Sequence, residues 1–206
     1  MVLRLLANPL LQGGPGEIIA SFSFSYIIFL IVQSYRLKRF LFILFVAIAV
    51  LVFFLDTALT LEWISTSVIT ATLLSIGLIY ALFFGSATLL ILRDILRTPR
   101  VTMDTVRGGI CVYLLLGYFW AVLYVIVETF DPHAFSSTLL TNNADTKMIY
   151  YSFVTLTTLG FGDIIPLSPM ASILTVLEAL VGQLYPTIFF GVLVGKYLSH
   201  RNPSDD

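Results

Sequence analysis

The chain has 206 residues, 58% of them hydrophobic and 11% charged, with a formal net charge of −1. Soluble domains average about 45–50% apolar and about 25% charged residues, so a water-soluble fold of this chain would lack the polar surface to cover itself. The near-zero charge and the scattered basic residues exclude nucleic acid as an expected partner, and a single cysteine, Cys111, in the apolar run Ile110-Cys111-Val112-Tyr113 excludes an intrachain disulfide and reads as a packed membrane thiol.

An α-helix needs about 20 predominantly apolar residues to cross a hydrocarbon core of about 30 Å. Residues 1–11 are apolar but broken by Pro9 and followed by Gly13-Gly14-Pro15-Gly16. They are too short to span and lack a small-residue cleavage site, so an interfacial segment is expected rather than a signal peptide. Five spans come next, at about 18–35, 39–55, 64–92, 108–129 and 171–197, the first diluted by Ser21, Ser23, Ser25 and Gln33.

Charge placement predicts orientation. Arg36, Lys38 and Arg39 lie between spans one and two, Arg93, Arg97, Arg100 and Arg107 between spans three and four, and Lys196 and Arg201 at the end of span five. The alternate loops hold Asp56, Glu62, Glu128, Asp131 and Asp145, with Lys147 as their one basic residue. Loops rich in Lys and Arg stay cytoplasmic, which predicts a multi-pass protein of the plasma (cell inner) membrane with its N-terminus outside and its C-terminus in the cytoplasm. Arg93 and Arg97 do not make a voltage sensor, which needs basic residues at every third position inside an apolar span; here they are four apart, with Asp94 between them, at the end of one. His133, beside Asp131-Pro132, reads as a solvated loop histidine.

Between spans four and five runs Tyr150-Tyr151-Ser152-Phe153-Val154-Thr155-Leu156-Thr157-Thr158-Leu159-Gly160-Phe161-Gly162-Asp163, too polar and too short to cross a membrane. Non-helical backbone at membrane depth survives only where protein buries it or water lines it, so a re-entrant loop is expected, with a short helix at 146–157 and an extended segment at 158–163. Successive carbonyls can face one axis only if the backbone alternates in handedness, and glycine visits the left-handed region without steric cost. Gly160 and Gly162 stand where that alternation is required.

Thr158-Leu159-Gly160-Phe161-Gly162-Asp163 closely resembles the selectivity filter of the potassium channel superfamily. Val154 to Thr158 is similar to the end of that family's pore helix, Tyr150 and Tyr151 occupy the places of an aromatic pair that braces the filter, and Gly182, 20 positions after Gly162, falls where the family has a hinge glycine in the inner helix. With a span on each side, the resemblance covers about residues 108–197. It implies K+ coordination by the backbone oxygens of Thr158, Leu159, Gly160 and Phe161, with the Thr158 hydroxyl as a further oxygen, and filter support from Asp163, Tyr150, Tyr151 and Thr157. Two departures stand out. Phe161 lacks the hydroxyl that a tyrosine would offer the aromatic pair, and Val154 replaces a glutamate that in some members partners the aspartate. A helix ending near Thr157 also turns its partial negative end toward the cavity, which favours cations in general.

The last span holds the other candidates. An ionised carboxylate at Glu178 near the bilayer centre would cost about 2.5–3.5 kcal/mol on insertion scales, so it is expected as a buried brace to the pore helix, as a cavity charge, or as a protonated or interface-satisfied residue. Gly182 and Pro186 both loosen a helix and predict a bend, either a moving gate or a fixed kink. Gln183 would face the cavity, and Phe190 and Val194 would line the lower pore or pack against lipid.

The expectation is an all-α integral membrane protein of five transmembrane helices plus a re-entrant pore helix and filter. It divides into an amino-terminal membrane domain (1–107), a pore domain (108–199) and a short tail (200–206). One filter strand cannot surround an ion, so a homotetramer in lipid is implied. The function expected is passive, potassium-selective conduction, without enzymatic chemistry and without a cofactor beyond K+ as the permeant ion. A non-selective cation channel or a subunit of a potassium transport complex are the alternatives.

Overall fold

The computed structural model describes residues 69–98, 101–137 and 144–199. The expected spans 18–35 and 39–55, the segment 1–11, the start of the third span, Arg100 and the tail 200–206 lie outside the described residues. Contacts divide the chain into Met1–Ile79 and Tyr80–Asp206. Of the first unit only the beginning of one helix is described; the strands, the core and the remaining helices belong to the second.

Four helices and two short strands make up the described part: α1 (Ile69–Arg97), α2 (Met103–Phe130), β1 (Phe135–Ser137), α3 (Ala144–Leu156), β2 (Ile164–Pro166) and α4 (Pro169–Ser199). Three of these helices, α1, α2 and α4, are long and apolar enough to cross a membrane, and α3 is a 13-residue helix between two of them. The described chain is thus mostly helical, as a membrane protein of this composition requires.

Local chemistry sets the boundaries. At the start of α2 the Thr102 hydroxyl accepts from the Thr105 amide (3.3 Å) while Thr105 Oγ1 accepts from the Thr102 amide (3.2 Å), so two orphan donors are satisfied reciprocally. The helix stops at Asp131-Pro132: proline cannot continue the ladder, and Asp131 Oδ1 accepts from the His133 amide (3.0 Å) to turn the chain. In α4, Pro169 takes the first helical position, where its missing N–H costs nothing, and the Ser168 hydroxyl accepts from the Ala171 amide (3.1 Å). These helices start earlier or end later than the apolar runs alone suggest, because the caps lie outside the runs.

The strands were not legible in the sequence. Phe135 pairs with Pro166, Ser136 with Ile165 and Ser137 with Ile164 in an antiparallel ladder, extended by Leu167 and Ser168 amides that donate to the Ala134 carbonyl (2.7 and 3.2 Å). Three residues per strand are too few for a period-two signal. The ladder joins the loop after α2 to the connection between α3 and α4.

The core lies where α2, α3, α4 and this ladder meet: Trp120, Tyr124, Ala134, Phe135, Met148, Tyr151, Leu156, Ile164 and Ala171. Tyr124, Phe135 and Tyr151 form a ring triangle with centroids 5.0–5.5 Å apart, all edge-to-face, the geometry favoured by aromatic quadrupoles. Phe84 of α1 stacks on Tyr118 of α2 at 5.7 Å. Elsewhere glycines let elements approach. The Phe153 ring lies over Gly117, the Phe189 ring over Gly109, and Gly182 backs directly onto the main chain of Leu156, where an added Cβ would sit 2.0 Å from its carbonyl oxygen.

These contacts rank the glycines. Gly182→Ala drives a methyl into backbone that cannot rotate away and is expected to cost about 1–3 kcal/mol. Gly85→Ala meets only the Phe119 ring at 3.4 Å and is expected to stay within about 1 kcal/mol of the parent. Thermal unfolding in detergent separates the two, and equal melting temperatures would refute the close approach at Gly182.

Candidate functional site

The segment after α3 has an unusual backbone. Thr158, Gly160 and Gly162 have φ of 57°, 57° and 76°, while no positive φ occurs at Leu159 or Phe161. Handedness therefore alternates residue by residue across Thr158 to Gly162. At Gly160 and Gly162 an added Cβ would meet nothing within 4 Å, so glycine is required there by conformation and not by space. Thr158 joins the two expected glycines in the left-handed region: it is the one non-glycine residue with positive φ among the described residues. Such a placement costs roughly 1–3 kcal/mol and persists only where the surroundings hold it.

The surroundings are visible. The Thr158 amide donates to the Thr155 carbonyl (2.8 Å), and the Leu159 and Gly160 amides both reach the Val154 carbonyl (2.9 and 3.3 Å). The last turn of α3 thus grips the first half of the segment through carbonyls a helix end leaves open. At the far end the Tyr150 hydroxyl donates to Asp163 Oδ2 (2.6 Å), and the Ile164 amide donates to Asp163 Oδ1 (3.1 Å). The Asp163 carboxylate, through this hydrogen bond, pushes the Tyr150 hydroxyl up to about 12. Between these ties the side chains find no cover within their own chain: Leu159 is 58% and Phe161 63% exposed.

The remaining expected residues are spread over α3 and α4. Tyr151 faces away from the segment, into the core, with its hydroxyl 2.8 Å from Thr175 Oγ1. The Thr157 hydroxyl donates back to the Phe153 carbonyl (2.6 Å). Gly182 touches the end of α3; Gln183, Phe190 and Val194 are exposed on the single chain, and Pro186 is half-buried. Glu178 is fully buried, which removes it from any cavity surface of this subunit.

Glu178 sits at a junction with the helix it was expected to brace, through partners the sequence did not name. Tyr124 of α2 donates to Oε2 (2.5 Å), and Ser152 of α3 lies 2.5 Å from Oε1 and 2.6 Å from the Gly117 carbonyl. Ser152 has one hydroxyl proton and two acceptors within reach, the Glu178 carboxyl and the Gly117 carbonyl. One acid side chain thereby joins three helices. Further supports also escaped the sequence. Tyr113 of α2 donates to the Leu156 carbonyl (3.1 Å), the last of α3, and Lys147 at the start of α3 pairs with Glu128 near the end of α2, both largely buried. The available signals were the polar side chains Tyr113, Tyr124 and Ser152 in apolar surroundings and the opposite charges at 128 and 147, none of which names its partner. No group of three or more His, Cys, Asp or Glu is placed to hold a metal ion among the described residues.

Residues 109–199 match the family described as "Ion channel". Protein LctB of Bacillus caldotenax is 28% identical to this chain over 120 residues, which cover 55% of this chain and 87% of that protein. No solved structure matches the chain. The matched residues run from α2 to α4 and include the whole segment from Thr158 to Asp163, so the comparisons indicate an ion channel in a membrane.

Two measurements test the supports. Glu178→Gln keeps a donor and an acceptor in place and is expected to unfold close to the parent. Glu178→Leu removes the carboxyl acceptor of the buried Tyr124 hydroxyl and is expected to cost about 1–3 kcal/mol; equal stability of the two variants would show that the junction carries no weight. For Tyr150, a folded pKa above its unfolded value of about 10 means that the bond to Asp163 is fully formed below pH 10 and lost only as pH climbs through about 12. The melting-temperature gap between the parent and Tyr150→Phe should therefore be the same at pH 7 and pH 9. A gap that closes over that interval would contradict the bond.

Proposed function

We propose that the chain is a subunit of a potassium-selective channel and that Thr158, Leu159, Gly160, Phe161 and Gly162 form its filter. The observation that carries this reading is the alternation of left-handed backbone at residues 158, 160 and 162 on a segment its own chain leaves uncovered. Alternating handedness is what turns consecutive carbonyls toward one line, and four such lines about a shared axis replace the water around a potassium ion. One chain supplies one line, so the working form is a homotetramer.

In this reading α2 is the outer helix, α3 the pore helix and α4 the inner helix of a pore domain spanning 108–199. Asp163 and Tyr150 hold the outer end of the filter, and Tyr151, Thr157 and Glu178 stiffen what stands behind it. Gln183 faces the cavity, Phe190 and Val194 line the lower pore, and Pro186 is the place for a bend, since Gly182 is committed to Leu156. The protein lies in the plasma membrane with its N-terminus outside and its C-terminus in the cytoplasm, conducts passively and uses no cofactor.

Purified protein in planar bilayers, with K+ on one side and Na+ on the other, tests the reading. Selectivity shifts the reversal potential away from zero, in the direction that opposes K+ efflux, by about 60 mV for each tenfold preference for K+. A reversal near zero under these conditions would identify a non-selective cation pore instead.

A further inference from the structure

The far end of α4 is held by a contact that the conduction pathway does not use. The Lys196 ammonium donates to the carbonyls of Ile95 (2.9 Å), Leu96 (2.9 Å) and Thr98 (2.7 Å). These are carbonyls at the C-terminal end of α1, where a helix leaves its last acceptors open and carries partial negative charge. An ammonium has three N–H donors and no acceptor, so the lysine's hydrogen-bonding geometry matches this end well. Its partners come from about 100 residues earlier in the chain, from an element outside the span from α2 to α4.

α4 is fastened differently along its length. Glu178 and Gly182 tie its first half to α2 and α3, and Tyr185, immediately before Pro186, donates to the Gly109 carbonyl of α2 (2.8 Å). Beyond Pro186, Phe189 lies over Gly109, an apolar contact that permits sliding, whereas the Lys196 bonds are directional and charged. Pro186 removes one backbone bond between the two regions. A displacement of the end of α1 is therefore transmitted to α4 below the proline.

We infer that Lys196 is a latch, a positioning residue that couples α1 to the lower half of α4 by capping the end of α1. Its effect on opening rests on the conducting-pore reading; the latch itself does not. The charge on Lys196 thus acts on a helix end within the protein.

The full chain in lipid nanodiscs, as parent, Lys196→Met and Lys196→Arg, is followed by amide hydrogen exchange and by single-channel recording. Loss of the cap in Lys196→Met is expected to speed exchange about fivefold to tenfold in the last turns of α1 and α4, with α3 unchanged, and Lys196→Arg, which keeps charge and donors, to restore most of the protection. Open probability should change in Lys196→Met with unitary conductance and reversal potential unaltered. Unchanged exchange in Lys196→Met, or exchange raised equally in α3, would overturn the latch. Should the methionine variant fail to assemble, Lys196→Gln, with two N–H donors and no charge, is expected to exchange faster than the parent at the same two helix ends, and parent-like exchange there would overturn the inference equally. A parent that carries no current would defeat the channel reading while the exchange result still decides the latch.

Discussion

Peptide groups removed from water must find partners inside the protein, and a segment that spends its carbonyls on anything else has to be fixed by its amides and flanks alone. In the proposed filter, residues 158–162 fall under that constraint. Their first amides are taken by the Thr155 and Val154 carbonyls, and the aspartate next in the chain is held by Tyr150 and by the Ile164 amide. The left-handed conformation of Thr158, uncomfortable for a β-branched residue, is sustained only because both ends are pinned.

Support for those pins passes outward in layers. The last carbonyl of α3 is engaged from one side by the Tyr113 hydroxyl and approached from the other by Gly182. The middle of α3 is fastened by Ser152 to Glu178 and to the Gly117 carbonyl, and its beginning by Lys147 to Glu128. Directional bonds fix rotation and small residues fix distance, and both α2 and α4 contribute at least one of each to α3. α3 is thus fastened at its beginning, middle and end, in keeping with the conduction role proposed for the segment it carries.

The sequence announced the large features well. Apolar length located α2 and α4 to within a few residues, and the polar interruption between them gave α3 nearly in full, because membrane length and helix periodicity act on many residues at once. The glycines at 160 and 162 were readable for the same reason that they are needed, since no other residue adopts their backbone without cost. What stayed hidden was pairwise. The partner of Asp163, the three-helix junction at Glu178, the ladder of β1 and β2 and the cap at Lys196 each depend on residues 13 to 101 positions apart meeting in space. Composition and periodicity carry no record of such meetings. The left-handed Thr158 was missed on different grounds: threonine's own preference points elsewhere, and the tertiary setting overrides it.

Glu178 also has a bearing on how the protein is made. A carboxyl that finds Tyr124 and Ser152 within its own chain needs no second copy for its hydrogen bonds. Its polar partners are all in place once α2 and α3 are beside it, so this matching needs only one chain. What that chain leaves bare is Leu159, Phe161 and the outward apolar side of α4. In the proposed tetramer, polar matching thus belongs inside one polypeptide and apolar matching between copies. A lesion at the buried acid therefore acts inside one chain, and a lesion along the bare side acts on the contacts of the proposed tetramer.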